Sequence, residues 1–287
     1  RNSSPGQMKT LYYCFGGGLG HFTRFVAWCN TTGEKPLLLT NCPAATDTRL
    51  LPAGVTCLMP ENSVINRDGL REWLKNTVLE HRPARLIIDA FPGGIFGELC
   101  ELPELASVEC IYLARILQLE KYLQRTGQFR LPQLSSIVEL EKLRPEHQAF
   151  NRQLCSKISK IELIDPPARV VEHIARQLPA EFSLILHSGP DNEVEELCRY
   201  ALETGEIKGS DNSFVVISPG SRPASCPATA LHFNLWPADW LIARANSVFS
   251  AAGFNIIRQM KGIKKRHYVM RFQRALDDQF FRLACCS

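Results

Sequence analysis

The chain lacks a strong charge of either sign: 33 basic residues stand against 29 acidic ones, a formal +4 over 287 residues. So small a surplus gives no broad electropositive field, which excludes nucleic acid as the expected partner and leaves anionic small molecules as ligands. It also lacks any apolar run of the ~18 residues that a membrane span needs, and no amphipathic helix with a basic face is visible. Residues 1–7 are polar, with no apolar segment behind a charged one, so no secretory leader is expected. No C-x-x-C spacing occurs among the eleven cysteines, and no cluster with metal-ligand spacing stands out. Several thiols, such as Cys14 and Cys110, sit in apolar runs and read as small hydrophobes of a reducing compartment, with Cys285-Cys286 as an inert tail. The expected location is the cytoplasm, with peripheral contact at the inner face of a membrane left open.

What the chain does have is a globular balance, 45% hydrophobic and 22% charged, and short β-like runs alternating with helical ones. Strands are expected over residues 9–15, 35–41, 54–59, 85–89 and 108–113, and helices over 23–30 and 68–81. Continuous apolar strands such as Arg-Leu-Ile-Ile-Asp, separated by helices, indicate a parallel sheet covered on both faces. Pro166-Pro167 interrupts the series, and a second one follows: strands over 183–187, 213–218 and 246–250, helices over 191–203, 255–260 and 277–284. The reset predicts two α/β domains of Rossmann-like build facing each other across a cleft, residues 1–165 and 166–287.

The first strand runs into Gly16-Gly17-Gly18-Leu19-Gly20-His21. Strand, glycine turn and helix start present backbone N–H groups and a positive helix end to an anion or acceptor oxygen. The dinucleotide fingerprint fails twice here: its third glycine falls on His21 or Thr23, and the second strand ends in Asn41-Cys42 rather than an acid. His21, at a helix start, has two readings, a neutral general base or a histidine that holds the loop. Asp89, at the carboxyl end of an apolar strand, is either a second base and acceptor-binding group or a helix cap; Glu98 lies in the loop after it.

In the second half, Ser250-Ala251-Ala252-Gly253-Phe254-Asn255 is again a strand, a small-residue turn and a helix start, where a phosphate can approach the backbone. His187-Ser188-Gly189 and Gly220-Ser221-Arg222 are two further strand ends of the kind that line a nucleotide crevice. Trp236-Pro237-Ala238-Asp239-Trp240 reads as a packed helix start. The basic stretch 261–274 is a solvated face or a loop in which Arg271 or Arg274 meets phosphate.

The first glycine loop resembles the Gly-Gly-x-Gly-Gly-His loop of GT-B glycosyltransferases, close to the bacterial N-acetylglucosaminyltransferases of peptidoglycan precursors. Residues 243–259 are similar to that family's donor motif, and Asp277-Asp278-Gln279 to the Asp-x-Gln stretch after it. The resemblance implies an inverting, metal-independent hexosyltransferase with no cofactor, its donor a nucleoside diphosphate sugar such as a UDP-sugar and its acceptor a hydroxyl. On that likeness the acceptor binds beside Gly17, Gly18 and Gly20, and His21 takes its proton. Ala252, Gly253, Ser188 and Gly189 lie against the diphosphate, Asn255, Gln259, Asp278 and Gln279 around the sugar and ribose, and Arg222 at the crevice. Gln259 stands where the family has glutamate and Asn255 where it has threonine. Two further readings keep the fold: a UDP-sugar epimerase or hydrolase, and a nucleotide-sugar-binding protein without turnover.

Overall fold

The computed structural model describes residues 9–16, 18–127, 129–205 and 214–285. The calls on residues 1–7, Gly17, Ser213 and Cys286 lie outside the described residues. The chain divides into two compact units. The first runs to Ile164 and takes back Ala275–Asp278; the second holds Asp165–Arg274 and the chain from Gln279 on.

The first unit is built on strands β1 (Thr10–Cys14), β2 (Leu37–Thr40), β3 (Cys57–Leu58), β4 (Arg85–Asp89), β5 (Glu109–Ala114), β6 (Leu134–Glu139) and β7 (Ile158–Lys160). Between them lie helices α1 (Leu19–Thr32), α2 (Arg67–His81), α3 (Leu119–Thr126) and α4 (Pro145–Leu154). All pairings are parallel, in the order β3-β2-β1-β4-β5-β6-β7. The order reverses between β1 and β4, so the loops leaving those two strands diverge and open a crevice at their carboxyl ends. β1, β4 and β5 are buried almost end to end, which is why they read as continuous apolar runs.

The second unit contains α5 (Glu172–Ala175), β8 (Ser183–Leu186), α6 (Asp191–Glu203), β9 (Phe214–Ile217), β10 (Leu231–Phe233), α7 (Asp239–Arg244), β11 (Ser247–Ala251), α8 (Phe254–Met260), β12 (Arg266–Met270) and α9 (Gln279–Ala284). Its sheet is also parallel, in the order β10-β9-β8-β11-β12, with its switch point between β8 and β11. Alternate residues of each strand feed opposite faces. Ile185, Phe214, Val216 and Phe249 pack with Val194, Leu197 and Cys198 of α6, while Leu184, Val215, Ile217 and Val248 pack with Trp240 and Leu241 of α7. Trp240 is thus a core residue, in line with the packed helix start.

Three expectations are corrected. Helix α1 begins at Leu19 rather than at residue 23, which brings His21 inside its first turn. The stretch 261–274 is more than a loop: it carries edge strand β12, paired in register with β11, while Lys261, Lys264, Arg266 and Arg271 stay exposed. The closing helix starts at Gln279 rather than at residue 277, and residues 277 and 278 belong to the first unit, where each carboxylate pairs with an arginine. All ten described cysteines are free thiols and seven are buried. No helix among the described residues is long and apolar enough to cross a membrane.

Candidate active site at the sheet switch points

In the first unit the crevice is occupied by three side chains that meet on one carboxylate. Asp89 ends β4 with its side chain fully buried. His21 Nδ1 lies 2.6 Å from its Oδ2. Arg24, one helical turn after His21, donates from Nε to Oδ1 at 2.5 Å and from Nη2 to Oδ2 at 2.7 Å. Spacing of three residues on α1 puts His21 and Arg24 on one face, over the sheet edge.

Position alone assigns the protons. The Arg24 guanidinium beside Asp89 and the His21 hydrogen bond hold its carboxyl well below the usual range against the opposing effect of burial, so Asp89 is an anion and can only accept. An unprotonated Nδ1 would set two lone pairs face to face at 2.6 Å. Nδ1 therefore carries the proton and donates to Asp89, and Nε2 keeps its lone pair. Burial is the largest effect on the imidazole and pushes its pKa down; Asp89 opposes this, and Arg24 and Arg115 add to it. A neutral ring is also what the N-terminal turn of a helix favours. Eleven per cent of the His21 side chain stays exposed, and Nε2 has no hydrogen-bond partner among the described residues.

The backbone around this group is tightly set. Gly16 has φ +135°, and a Cβ built on it would stand 2.7 Å from His21 Nε2. Its N–H donates to the Asn41 side-chain oxygen at 3.3 Å. Ala90 follows Asp89 at φ +65°, and Phe91 N–H reaches back to the Asp89 carbonyl at 2.8 Å, a tight turn. The Tyr112 hydroxyl secures that turn through the Ala90 carbonyl at 3.2 Å. Glu98 takes the Tyr13 hydroxyl at 2.6 Å and the N–H groups of Ile95 and Phe96, so it anchors the loop after β4. Gly18 caps α1 with extended backbone and open space around it, and Gly20 lies within the helix.

At the switch point of the second unit, β11 ends at Ala251, Ala252 follows it, and Gly253 caps α8, whose first turn carries no acid. A Cβ on Gly253 would meet only Ile256, at 3.9 Å. Asn255 and Gln259 lie on this helix at a spacing that puts them on one face. The end of β8 is different. Asp191 and Glu193 stand in the first turn of α6, and a Cβ on Gly189 would fall 2.2 Å from His187 Nε2. Close packing therefore explains Gly189, and the acidic turn disfavours an anion beside Ser188. Glu193 binds His187 Nε2 at 2.7 Å and both terminal nitrogens of Arg274.

The structure gives other sequence-read residues partners of their own. Arg222 donates to the carbonyls of Ala230 and Pro227 within its own loop. Asp278 pairs with Arg144 at 2.7 Å, as Asp277 does with Arg115 at 2.6 Å, both in the first unit. Gln279 is buried, and its Oε1 accepts the Phe272 N–H at 2.9 Å. Arg271 lies over the Phe280 ring. Sequence reasoning missed Arg24, Gly16 and the Glu193 cluster. The signal for Arg24 was present: a lone charge among Phe22, Phe25, Val26, Ala27 and Trp28.

No protein-family model matches the chain, and no curated protein sequence does. Solved structures do resemble it. A spinosyn rhamnosyltransferase, SpnG, complexed with thymidine diphosphate, is 16% identical with a TM-score of 0.61, over 97% of this chain and 84% of that one. The glycosyltransferase SnogD from Streptomyces nogalater is 12% identical, TM-score 0.57, over 94% and 84%. A UDP-N-acetylglucosamine 2-epimerase from Rickettsia bellii is 8% identical, TM-score 0.58, over 91% and 78%. At such identities the likeness is one of fold. The chain has the GT-B glycosyltransferase fold, two parallel α/β units in succession.

Proposed function

We propose that this chain is an inverting glycosyltransferase that moves a hexosyl group from a nucleoside diphosphate, UDP on the motif resemblance, to an acceptor hydroxyl. The observation that carries the reading is the buried Asp89–His21 contact at 2.6 Å, which leaves the Nε2 lone pair without a hydrogen-bond partner among the described residues. Nε2 takes the hydroxyl proton while the oxygen attacks the anomeric carbon; the diphosphate leaves from the opposite face, which inverts the configuration. Asp89 remains anionic and stabilises the imidazolium formed. Amide groups at the start of α8 meet the leaving diphosphate, so the reading requires no metal ion. Gln259, on the same helix, accepts a single ribose hydrogen bond in place of a charge-assisted pair.

The test is product analysis with a panel of nucleoside diphosphate sugars and hydroxyl acceptors, beside the His21→Ala variant. Acceptor-dependent glycoside, lost in His21→Ala while nucleotide binding persists, is the expected result. Unchanged turnover in His21→Ala overturns the assignment. The epimerase of the same fold motivates the second reading, a UDP-sugar epimerase or hydrolase. Free UDP released without any acceptor identifies it, and binding without turnover identifies a sensor.

A further inference from the structure

The reading of His21 as base leaves unexplained why its carboxylate partner is also forked by a buried arginine. We propose that Arg24 is a positioning residue of this site: its guanidinium fixes the Nδ1–H form of His21 through Asp89 and cancels the carboxylate charge behind the imidazole. The inference rests on the proposed function only for what the base acts upon; the positioning itself is a property of the first unit.

Geometry carries it. Arg24 is 3% exposed in its side chain and Asp89 not at all, so neither charge is screened by water. Both oxygens of Asp89 are taken by the Arg24 fork, and Oδ2 is shared with His21 Nδ1. Arg24 Nη2 itself comes within 3.0 Å of Nδ1. Guanidinium groups only donate, so this nitrogen cannot accept the Nδ1 proton; with Nδ1 protonated toward Asp89, it pins the carboxylate oxygen that does. In a simple histidine–carboxylate pair the imidazolium faces a net negative charge. Here it faces a neutral ion pair.

The other groups around His21 do not restore that negative charge. Arg115, which follows β5, adds a cation to its field, although that guanidinium is paired with Asp277. Phe91 offers an apolar ring 5.7 Å from the imidazole centre. From β1 comes the Tyr12 hydroxyl, which reaches Asp89 at 3.5 Å, and from the turn after it the Gly16 backbone, on which a Cβ would meet Nε2. The ring is thus kept neutral near pH 7, ready to accept a proton rather than already holding one.

The test is a pH titration of the His21 ring nitrogens by two-bond proton–nitrogen NMR, with His21→Gln to assign the signal. In the parent protein the neutral ring should show a protonated Nδ1 and a bare Nε2. Removing only the anion, Asp89→Asn, should lower the titration point. Removing only the cation, Arg24→Gln, should raise it by about one pH unit or more, since a unit corresponds to a tenfold change in proton affinity. Removing both, Arg24→Met with Asp89→Asn, should return it to within about half a unit of the parent. The double variant buries no unpaired charge, so it keeps the proposal testable if a single variant does not fold.

An unchanged titration point in Arg24→Gln, a raised one in the double variant, or a bare Nδ1 in the parent overturns the proposal. The measurement needs no substrate, so its outcome is separable from that of the functional reading. The predicted order of titration points together with full turnover in His21→Ala would sink the transferase base and leave Arg24's role standing. The converse pair of results would do the opposite.

Discussion

Gly16 is the position at which backbone geometry and chemistry are tied most closely, and Gly16→Ala tests both. Two costs follow from the structure. The residue sits at φ +135°, where an L side chain is strained by roughly 1–3 kcal/mol. Its new methyl would also stand 2.7 Å from His21 Nε2, well inside the ~3.5 Å of ordinary contact, so the ring must retreat by roughly 0.8 Å. It has nowhere to go, because Nδ1 is held by Asp89 and Asp89 by Arg24. Overpacking of that kind costs about 1–3 kcal/mol more. A total of roughly 2–6 kcal/mol, at about 2–4 °C per kcal/mol for a unit of this size, lowers the melting temperature by roughly 4–24 °C. Displacement of a base by nearly an ångström lowers kcat by about a hundredfold. Gly18→Ala is the control: its backbone is extended, and nothing lies within 4 Å of the added carbon. Thermal melting and transfer assays on the pair decide the matter. Equal melting temperatures for Gly16→Ala and the parent, or an equal loss in Gly18→Ala, would refute the reasoning.

Three further outcomes are expected. Gly253→Ala meets only Ile256, at ordinary contact distance, and should leave the melting temperature within about 2 °C, yet weaken nucleoside diphosphate binding several-fold by calorimetry; unaltered affinity would remove Gly253 from the donor site. His147 is buried and its pKa is pushed down to about 4 by burial, so the unfolded chain binds its proton more readily. Its stabilising contribution is complete above about pH 6.5 and is lost as the pH falls towards the folded value, up to roughly 3 kcal/mol. The urea midpoint should drop across that window, and His147→Gln should flatten the drop; an unflattened curve contradicts the assignment. Loss of the His187–Glu193 bond in His187→Ala should cost about 1–3 kcal/mol by urea denaturation with no change in the pH dependence of kcat, and a moved profile would make His187 part of the chemistry.

What the sequence makes legible is what is buried on both faces. Residues 85–89 and 191–203 agree with β4 and α6 to the residue, since their flanks and periodicity have no rival reading. Strands β7, β10 and β12 escape because they lie at sheet edges, half-exposed, where polar residues such as Lys160 interrupt the apolar run, and β6, though largely buried, is broken by Ser135 and Ser136. The early start of α1 escapes for another reason. Gly18 and Gly20 are poor helix formers, and local propensity argues against a helix before residue 23. The tertiary contacts of His21 and Arg24 on Asp89 override that preference. Those contacts pair residues 65 and 68 positions apart, a separation that no local pattern encodes. His21 and Asp89 were each visible as a singular residue at a strand end or helix start, but their partnership was not.

The two units share a device and put it to different ends. Each sets a histidine, a carboxylate and an arginine together at the carboxyl edge of its sheet: His21, Asp89 and Arg24 in the first, His187, Glu193 and Arg274 in the second. What differs is the nitrogen that is tied. His21 binds its carboxylate through Nδ1, the atom nearer its own backbone, and so presents the far nitrogen. His187 binds through Nε2, turning its outer atom inward against a ring stacked on Phe272. An imidazole held by its outer nitrogen has no basic atom left at its tip, so it braces; one held by its inner nitrogen keeps its reach. Charge compensation is common to both, and the choice of nitrogen is what sets the two histidines apart: on the proposed function it is the first that takes the acceptor proton.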